Sequence, residues 1–415
     1  MSKWYNRRMA THPRPAQDSG SDRAPVPFAY RRPVVADLLK ALAKGPQLLQ
    51  IVIGPRQVGK TTAVLQVSQE WPGETVFAAA DGPLPPGPEW VETHWERATR
   101  ACRANRGALL VLDEIQKVRG WSGTIKSLWD QERRRPSGLK VILLGSSALL
   151  VQKGLSESLA GRFFLHRCTH WNYPEMRKAF GWSLDEWIFF GGYPGAAAFR
   201  NEEAAWRNYV VDSLVETVLS RDVLQMNTVA KPALLRHLFG LATAHPAEIL
   251  SYNKMLGQLQ DAGNTTTLAH YLQLLGQAYL VSGLEAYRVG SRSKRGSSPK
   301  LILWNNALVT AFRGEGFAQA RRDTAFWGRL VENAVGAHIL QRPDPTVGGV
   351  YYWRQGDEEV DFILTTGKAV TALEVKSGRQ SRASGLATFR GKYPGVQARL
   401  VGSGGIPLEE YFSGH

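Results

Sequence analysis

The stretch Gly54-Pro-Arg-Gln-Val-Gly59-Lys60-Thr61 constrains this 415-residue chain more than any other. It fits the pattern G-x-x-x-x-G-K-[ST], in which glycines let the backbone turn its N–H groups inward onto phosphate oxygens. The run before it, Leu48 to Ile53, is largely apolar and β-branched, as a buried parallel strand is. From Thr61 to Val67 the apolar residues fall at helical spacing. Strand, glycine loop and helix are the context the motif requires. Gly54, Pro55, Arg56, Gln57, Val58, Gly59, Lys60, Thr61 and Thr62 therefore read as a nucleotide-binding loop. Lys60 would reach the β- and γ-phosphates, the Thr61 hydroxyl would ligate Mg²⁺, and the helix N-terminus would add positive potential. ATP and Mg²⁺ are the expected cofactors.

A second signal follows at the right distance. Ala108-Leu-Leu-Val-Leu112 reads as a buried strand ending in Asp113-Glu114. A carboxylate at the C-terminal end of such a strand sits where Mg²⁺ is held, which assigns Asp113 to the metal. Glu114 would orient and deprotonate the attacking water. Lys140 to Leu144 is the next strand, followed by Gly145-Ser146-Ser147. Ser146, with Ser147 behind it, either touches the γ-phosphate side of the site or caps the next helix. Past it comes Leu159-Ala-Gly161-Arg162. Its arginine suits either a trans-acting finger across a subunit interface or an ordinary surface position.

These motifs together, with Gly191-Gly-Tyr-Pro194 further along, resemble a prokaryotic AAA-family ATPase. The subfamily it resembles joins that module to a winged-helix region and a C-terminal domain of unknown function. The resemblance covers nearly all of the chain beyond residue 30. It implies that Arg162 is the arginine finger and that the active form is a ring or other homo-oligomer, with a hexamer as one candidate. A second-sensor arginine has no clear match; Arg200 and Arg221 are the candidates.

The fold class expected is α/β: an AAA-type P-loop ATPase with a helical lid, then a winged helix-turn-helix and a C-terminal α/β restriction-endonuclease-like domain. The expected divisions are a disordered basic extension over 1–28, the ATPase core over 29–171 and the lid over 172–228. The winged helix is expected over 229–303 and the PD-(D/E)xK-like domain over 304–415. In the third region a helix around Leu250, a turn at Gly263 and a Thr-capped helix from Leu268 match helix-turn-helix grammar. Leu280 to Tyr287 and Lys300 to Trp304 would pair as a hairpin around Arg288, Arg292, Lys294 and Arg295, a basic wing for DNA phosphates. A helical packing module with a solvated basic loop is the competing reading.

In the last region Asp361, Glu374 and Lys376, with a helical Glu332 upstream, resemble the PD-(D/E)xK constellation. Strand alternation places Glu374 and Lys376 on one face. Asp361 and Glu374 would hold Mg²⁺, and Lys376 would steady a water or the scissile phosphate. A nuclease-like fold that only clamps DNA, or a surface ion-pair cluster, gives the same residues. His166-Arg-Cys-Thr-His170 offers too few ligands for zinc and reads as a strand with alternating side chains.

Lys and Arg exceed Asp and Glu by 15 (51 against 36), which favours a polyanionic partner. Cys102 and Cys168 cannot make a disulfide framework and point to a reducing cytoplasm. No apolar run has transmembrane length and the N-terminus lacks a signal core, so a soluble protein without a membrane role is expected. The function read from these features is an ATP-hydrolysing motor or switch acting on DNA, with branched or recombining DNA suggested by the nuclease-like resemblance. The alternatives are a signalling ATPase controlling a protein partner and an ATP-gated, Mg²⁺-dependent endonuclease.

Overall fold

Strand residues of both parities are buried in the N-terminal half, so its sheet must be covered on both faces. Leu49, Ile51 and Ile53 pack with Trp95, Ile125 and Trp129, whereas Val52 packs on the opposite side with Val35, Leu38, Val64 and Val67. Each such aliphatic side chain contributes ~1.5–3 kcal/mol when fully buried. The computed structural model describes residues 30–44, 47–105, 107–145, 158–224, 229–259, 263–288, 298–342, 347–378 and 384–414. The expected 1–28 extension lies outside them, as do Ser146, Ser147, Arg292, Lys294 and Arg295.

The first sheet contains β1 (Leu49–Ile53), β2 (Glu74–Ala79), β3 (Ala108–Asp113), β4 (Lys140–Gly145) and β5 (Phe163–Arg167). All pairs are parallel, in the order β2-β3-β4-β1-β5. Helices α1 (Pro33–Lys44) and α2 (Lys60–Glu70) cover one face; α3 (Pro88–Asn105) and α4 (Trp121–Arg134) cover the other. The phosphate loop joins β1 to α2, and Asp113 closes β3 two strands away.

A helical region follows. Helices Tyr173–Phe180 and Leu184–Phe190 each begin with a capping box, Asn172 with Glu175 and Ser183 with Glu186. The Gly191-Gly-Tyr-Pro turn then passes beneath the C-terminal half. A Cβ on Gly191 would lie 1.9 Å from Asn305 Oδ1, and one on Gly192 would lie 2.0 Å from the Trp171 carbonyl. The close approach explains both glycines. Two π-helical segments, Tyr209–Val215 and Val218–Leu224, carry the chain back toward the phosphate loop.

Helices Pro232–Ala244, Tyr252–Gln258 and Thr265–Gln277 come next. The last begins before Leu268, because Asn264 caps it by accepting from Thr267 N at 2.9 Å. β6 (Val281–Ala286) and β7 (Lys300–Leu303) pair antiparallel from Val281↔Leu303 to Leu284↔Lys300. The strands of the hairpin belong to a larger sheet. β6 continues beside β8 (Val347–Gln355) through Glu285↔Tyr351 and Ala286↔Tyr352. With β9 (Glu358–Thr366), β10 (Ala369–Lys376) and β11 (Gln397–Gly402), the sheet order is β11-β10-β9-β8-β6-β7. The division expected at 303/304 therefore falls inside one sheet. β8, β9 and β10 form an antiparallel meander between helices Thr324–Gln341 and Ser384–Lys392, and β11 lies parallel to β10. No helix among the described residues is long and apolar enough to cross a membrane.

Candidate active site

The phosphate loop is anchored from below before it is shaped from within. A Cβ on Gly54 would lie 1.9 Å from the Cys168 carbonyl oxygen, so glycine is the residue that fits against β5. Gly59 adopts the left-handed region, φ 84°, and opens α2. The carbonyl of Val58 accepts from Trp171 Nε1 at 2.9 Å and from Arg32 Nη1 at 3.1 Å. Arg32 is buried and forks onto Glu175 at 2.8 and 3.1 Å. Neither Arg32 nor Trp171 carried a sequence signal for this role.

The side chain of Lys60 is buried, and its Nζ donates to the carbonyls of Gly54 at 2.9 Å and Pro55 at 2.6 Å. Burial pulls the Lys60 pKa down. Carbonyl dipoles alone satisfy a buried ammonium poorly, and a phosphate anion would restore its charge balance. The loop fits a nucleotide on that ground. Thr61 Oγ1 donates to Asp113 Oδ2 at 2.8 Å, and Glu114 N donates to Asp113 Oδ1 at 2.8 Å. Burial pushes the Asp113 carboxyl above the usual range against both hydrogen bonds. A hydroxyl and a buried carboxylate in contact are a donor set that fits Mg²⁺. Glu114 is held in the left-handed region, φ 52°, which is uncommon outside glycine and costs about 1 kcal/mol. Gln116 Nε2 donates to Glu114 Oε2 at 2.6 Å, and Lys117 lies 3.7 Å from the same oxygen.

The helical region reaches this site through an acid. Arg56, inside the loop, forks onto Asp222 of the second π-helical segment with two contacts of 2.6 Å. The Asp222 side chain is 5% exposed and that of Arg56 is 20% exposed. Burial works against the Arg56 charge; Asp222, aided by Glu114 and Asp81, outweighs it and raises the pKa. Burial also raises the Asp222 carboxyl, against the pull of Arg56. The short two-pronged geometry marks an ion pair despite that penalty. Asp222 faces the loop while its neighbour Arg221 is exposed, and Arg200 pairs with Glu186 at 3.2 Å.

Arg162 lies just before β5, whose Phe163 pairs with Leu49 at the start of β1. The phosphate loop leaves the other end of β1, so Arg162 and the loop of the same chain are separated by the strand's length, ~17 Å. Arg162 forks onto Asp130 at 2.8 and 3.1 Å. The His166-to-His170 segment forms no metal cluster among the described residues. His166 bonds Gln50 at 2.8 Å, and His170 is buried against Tyr193.

In the C-terminal half, Glu332 of helix Thr324–Gln341, Asp361 of β9, and Glu374 and Lys376 of β10 converge. Lys376 Nζ lies 2.8 Å from Glu374 Oε1, and Asp361 Oδ2 accepts from Val375 N at 2.8 Å. Two further residues enter that sequence reading missed, Glu359 and Lys300. Lys300 is wholly buried and contacts Glu332, Glu359 and Asp361 at 2.6, 2.9 and 3.3 Å. Burial opposes its charge, and the carboxylates outweigh it and raise its pKa. Burial, with Asp361, also pushes the Glu332 carboxyl up. Arg288, expected at the basic tip, is exposed just beyond β6.

Residues 47–176 match the AAA domain family, which agrees with the strand order and the loop chemistry. Residues 181–318 match a domain of unknown function (DUF8612), and 327–405 match another (DUF4143). The uncharacterized protein MJ1544 of Methanocaldococcus jannaschii is 22% identical over 276 residues, covering 61% of this chain and 58% of that protein. The Walker-type ATPase paby2304 of Pyrococcus abyssi superposes with a TM-score of 0.47 at 13% identity, covering 67% of this chain and 94% of that one. The Aeropyrum pernix ORC1 protein in complex with DNA superposes at 0.29 and 14% identity, covering 71% and 96%. At these TM-scores neither superposition bears on function.

Proposed function

We propose that this chain, with its AAA-type P-loop ATPase domain, is an ATP-hydrolysing switch or motor that works on DNA as a cytoplasmic homo-oligomer. The observation that carries the ATPase reading is the buried Lys60 ammonium beside the Thr61–Asp113 pair. Lys60 and the loop N–H groups bind and orient the β- and γ-phosphates. Mg²⁺, when bound at Thr61 and Asp113, neutralises charge on the phosphate oxygens. Glu114 takes the proton of the water that attacks the γ-phosphorus as the bond to the β-phosphate oxygen breaks, giving ADP and phosphate. Arg162 of a neighbouring subunit meets the charge that develops there. Its distance from its own loop supports a role in trans.

The Arg56–Asp222 pair supports switching. A γ-phosphate competes with Asp222 for the same guanidinium, so nucleotide state and the position of the helical region become one equilibrium. The net charge of +15, the exposed Arg288 and a helix–helix–hairpin order support DNA as the partner. ATP turnover measured with single-stranded, duplex and four-way DNA at two salt concentrations tests this reading. DNA is expected to stimulate turnover several-fold, with binding that weakens as salt rises. Lys60→Ala and Glu114→Gln are expected to abolish it. Turnover indifferent to DNA, with salt-insensitive binding, refutes the DNA role and leaves a protein partner as the recipient of the switch.

A further inference from the structure

Glu332, Glu359 and Asp361 bring carboxylate oxygens within 4.8 Å of one another, a spacing that suits a divalent cation. The space between them is already filled by a charge. Lys300 Nζ lies within 3.3 Å of an oxygen from each of the three, and none of its side chain is exposed. Two of the acids are engaged elsewhere as well, although Glu374 Oε2 is buried without a hydrogen-bond partner among the described residues. Asp361 turns its second oxygen to Val375 N, and Glu374 pairs with Lys376. Mg²⁺ demands near-octahedral oxygens at ~2.0–2.1 Å and keeps several waters. An ammonium at contact distance from the same oxygens denies it both the volume and the charge. The strand that carries Lys300 is itself held on both sides. The Lys300 backbone pairs with Leu284 on one side and bridges Ile249 on the other, and its ammonium lies 5.2 Å from the Phe362 ring.

We propose that Lys300 is the resident cation of this cluster, making the nuclease-like residue set a closed ionic lock that takes no divalent metal. The lock has a mechanical place. Lys300 opens β7 of the hairpin, whereas the acids belong to helix Thr324–Gln341 and β9. One buried side chain thus fastens the helix–hairpin region to the C-terminal strands. The inference is independent of what the ATPase site does.

The test is Mn²⁺ titration of the nucleotide-free full-length chain, followed by the EPR signal of free Mn²⁺ and by thermal melting. The wild type is expected to show no site tighter than ~1 mM that Asp361→Asn removes. Lys300→Met is expected to create one: its melting temperature rises with Mn²⁺, and adding Asp361→Asn cancels the rise. A micromolar wild-type site lost in Asp361→Asn overturns the proposal. So does a folded Lys300→Met protein that gains no Mn²⁺ binding. If Lys300→Met does not fold, the comparison of wild type with Asp361→Asn decides alone.

Discussion

Replacing Asp222 by asparagine tests whether the phosphate loop and the helical region share one equilibrium. The side chain keeps its shape and one carbonyl oxygen, and loses its charge. In the wild type, two contacts of 2.6 Å hold Arg56, with the acid 5% and the arginine 20% exposed. Removing one member of a buried pair costs ~3–5 kcal/mol. Arg56 keeps some water and the amide keeps one hydrogen bond, so about 1–2 kcal/mol of restraint on the guanidinium is expected to disappear. A guanidinium freed from its competitor is available to the γ-phosphate. Affinity for ATP should therefore rise by about five- to thirty-fold, the equivalent of that free energy. Titration of a fluorescent ATP analogue in Mg²⁺, with ADP in parallel, reads it directly; ADP, lacking the γ-phosphate, should gain less. If Asp222→Asn binds ATP at wild-type strength, or more weakly, Asp222 supports the loop and does not compete for it.

Three further outcomes follow from other parts of the molecule. Gly54→Ala forces a Cβ to within 1.9 Å of the Cys168 carbonyl, so the loop must move and nucleotide retention should be lost; normal binding would show that β5 yields. An Arg162→Ala subunit should bind ATP normally yet suppress turnover when mixed with wild-type subunits, and full activity of the pure mutant would refute a role in trans. Burial lowers the pKa of His170 and His338 to about 3. The unfolded chain therefore binds these protons first, and the stability is complete above pH ~6.5 and falls as the pH drops toward 3. The loss is at most ~1.4 kcal/mol per pH unit for each histidine. Urea midpoints at pH 7 and 5.5 measure it, and His170→Gln should flatten the dependence.

The strand–loop–helix order and the place of Asp113 and Glu114 at the end of β3 are legible in the sequence because they are local: a strand, a turn and a helix end within a few residues. The supports of that loop are not. Arg32 and Trp171 reach Val58 from 26 and 113 residues away, and Asp222 reaches Arg56 from 166. Arg221-Asp222 showed a pair of charges but not which one would be buried. In the C-terminal half, the alternation of Glu374 and Lys376 correctly put them on one face, because a period of two survives any tertiary context. Lys300 left no trace. A lysine opening a strand normally signals solvent, and only the convergence of acids from two other elements reverses that expectation. The sheet around the hairpin is hidden for a related reason. Pairing between β6 and β7 is a local property, whereas the parallel neighbour of β6 lies more than sixty residues downstream.

That shared neighbour matters to anyone dissecting the protein. A fragment ending at residue 303 would strip β8 from β6, and a fragment beginning at 304 would present β8 without its cover. Each piece would carry a bare strand rim, inviting self-association through backbone pairing. Clumping of such halves would report the surgery and say nothing about assembly of the intact chain; cuts near residue 180 respect the sheets.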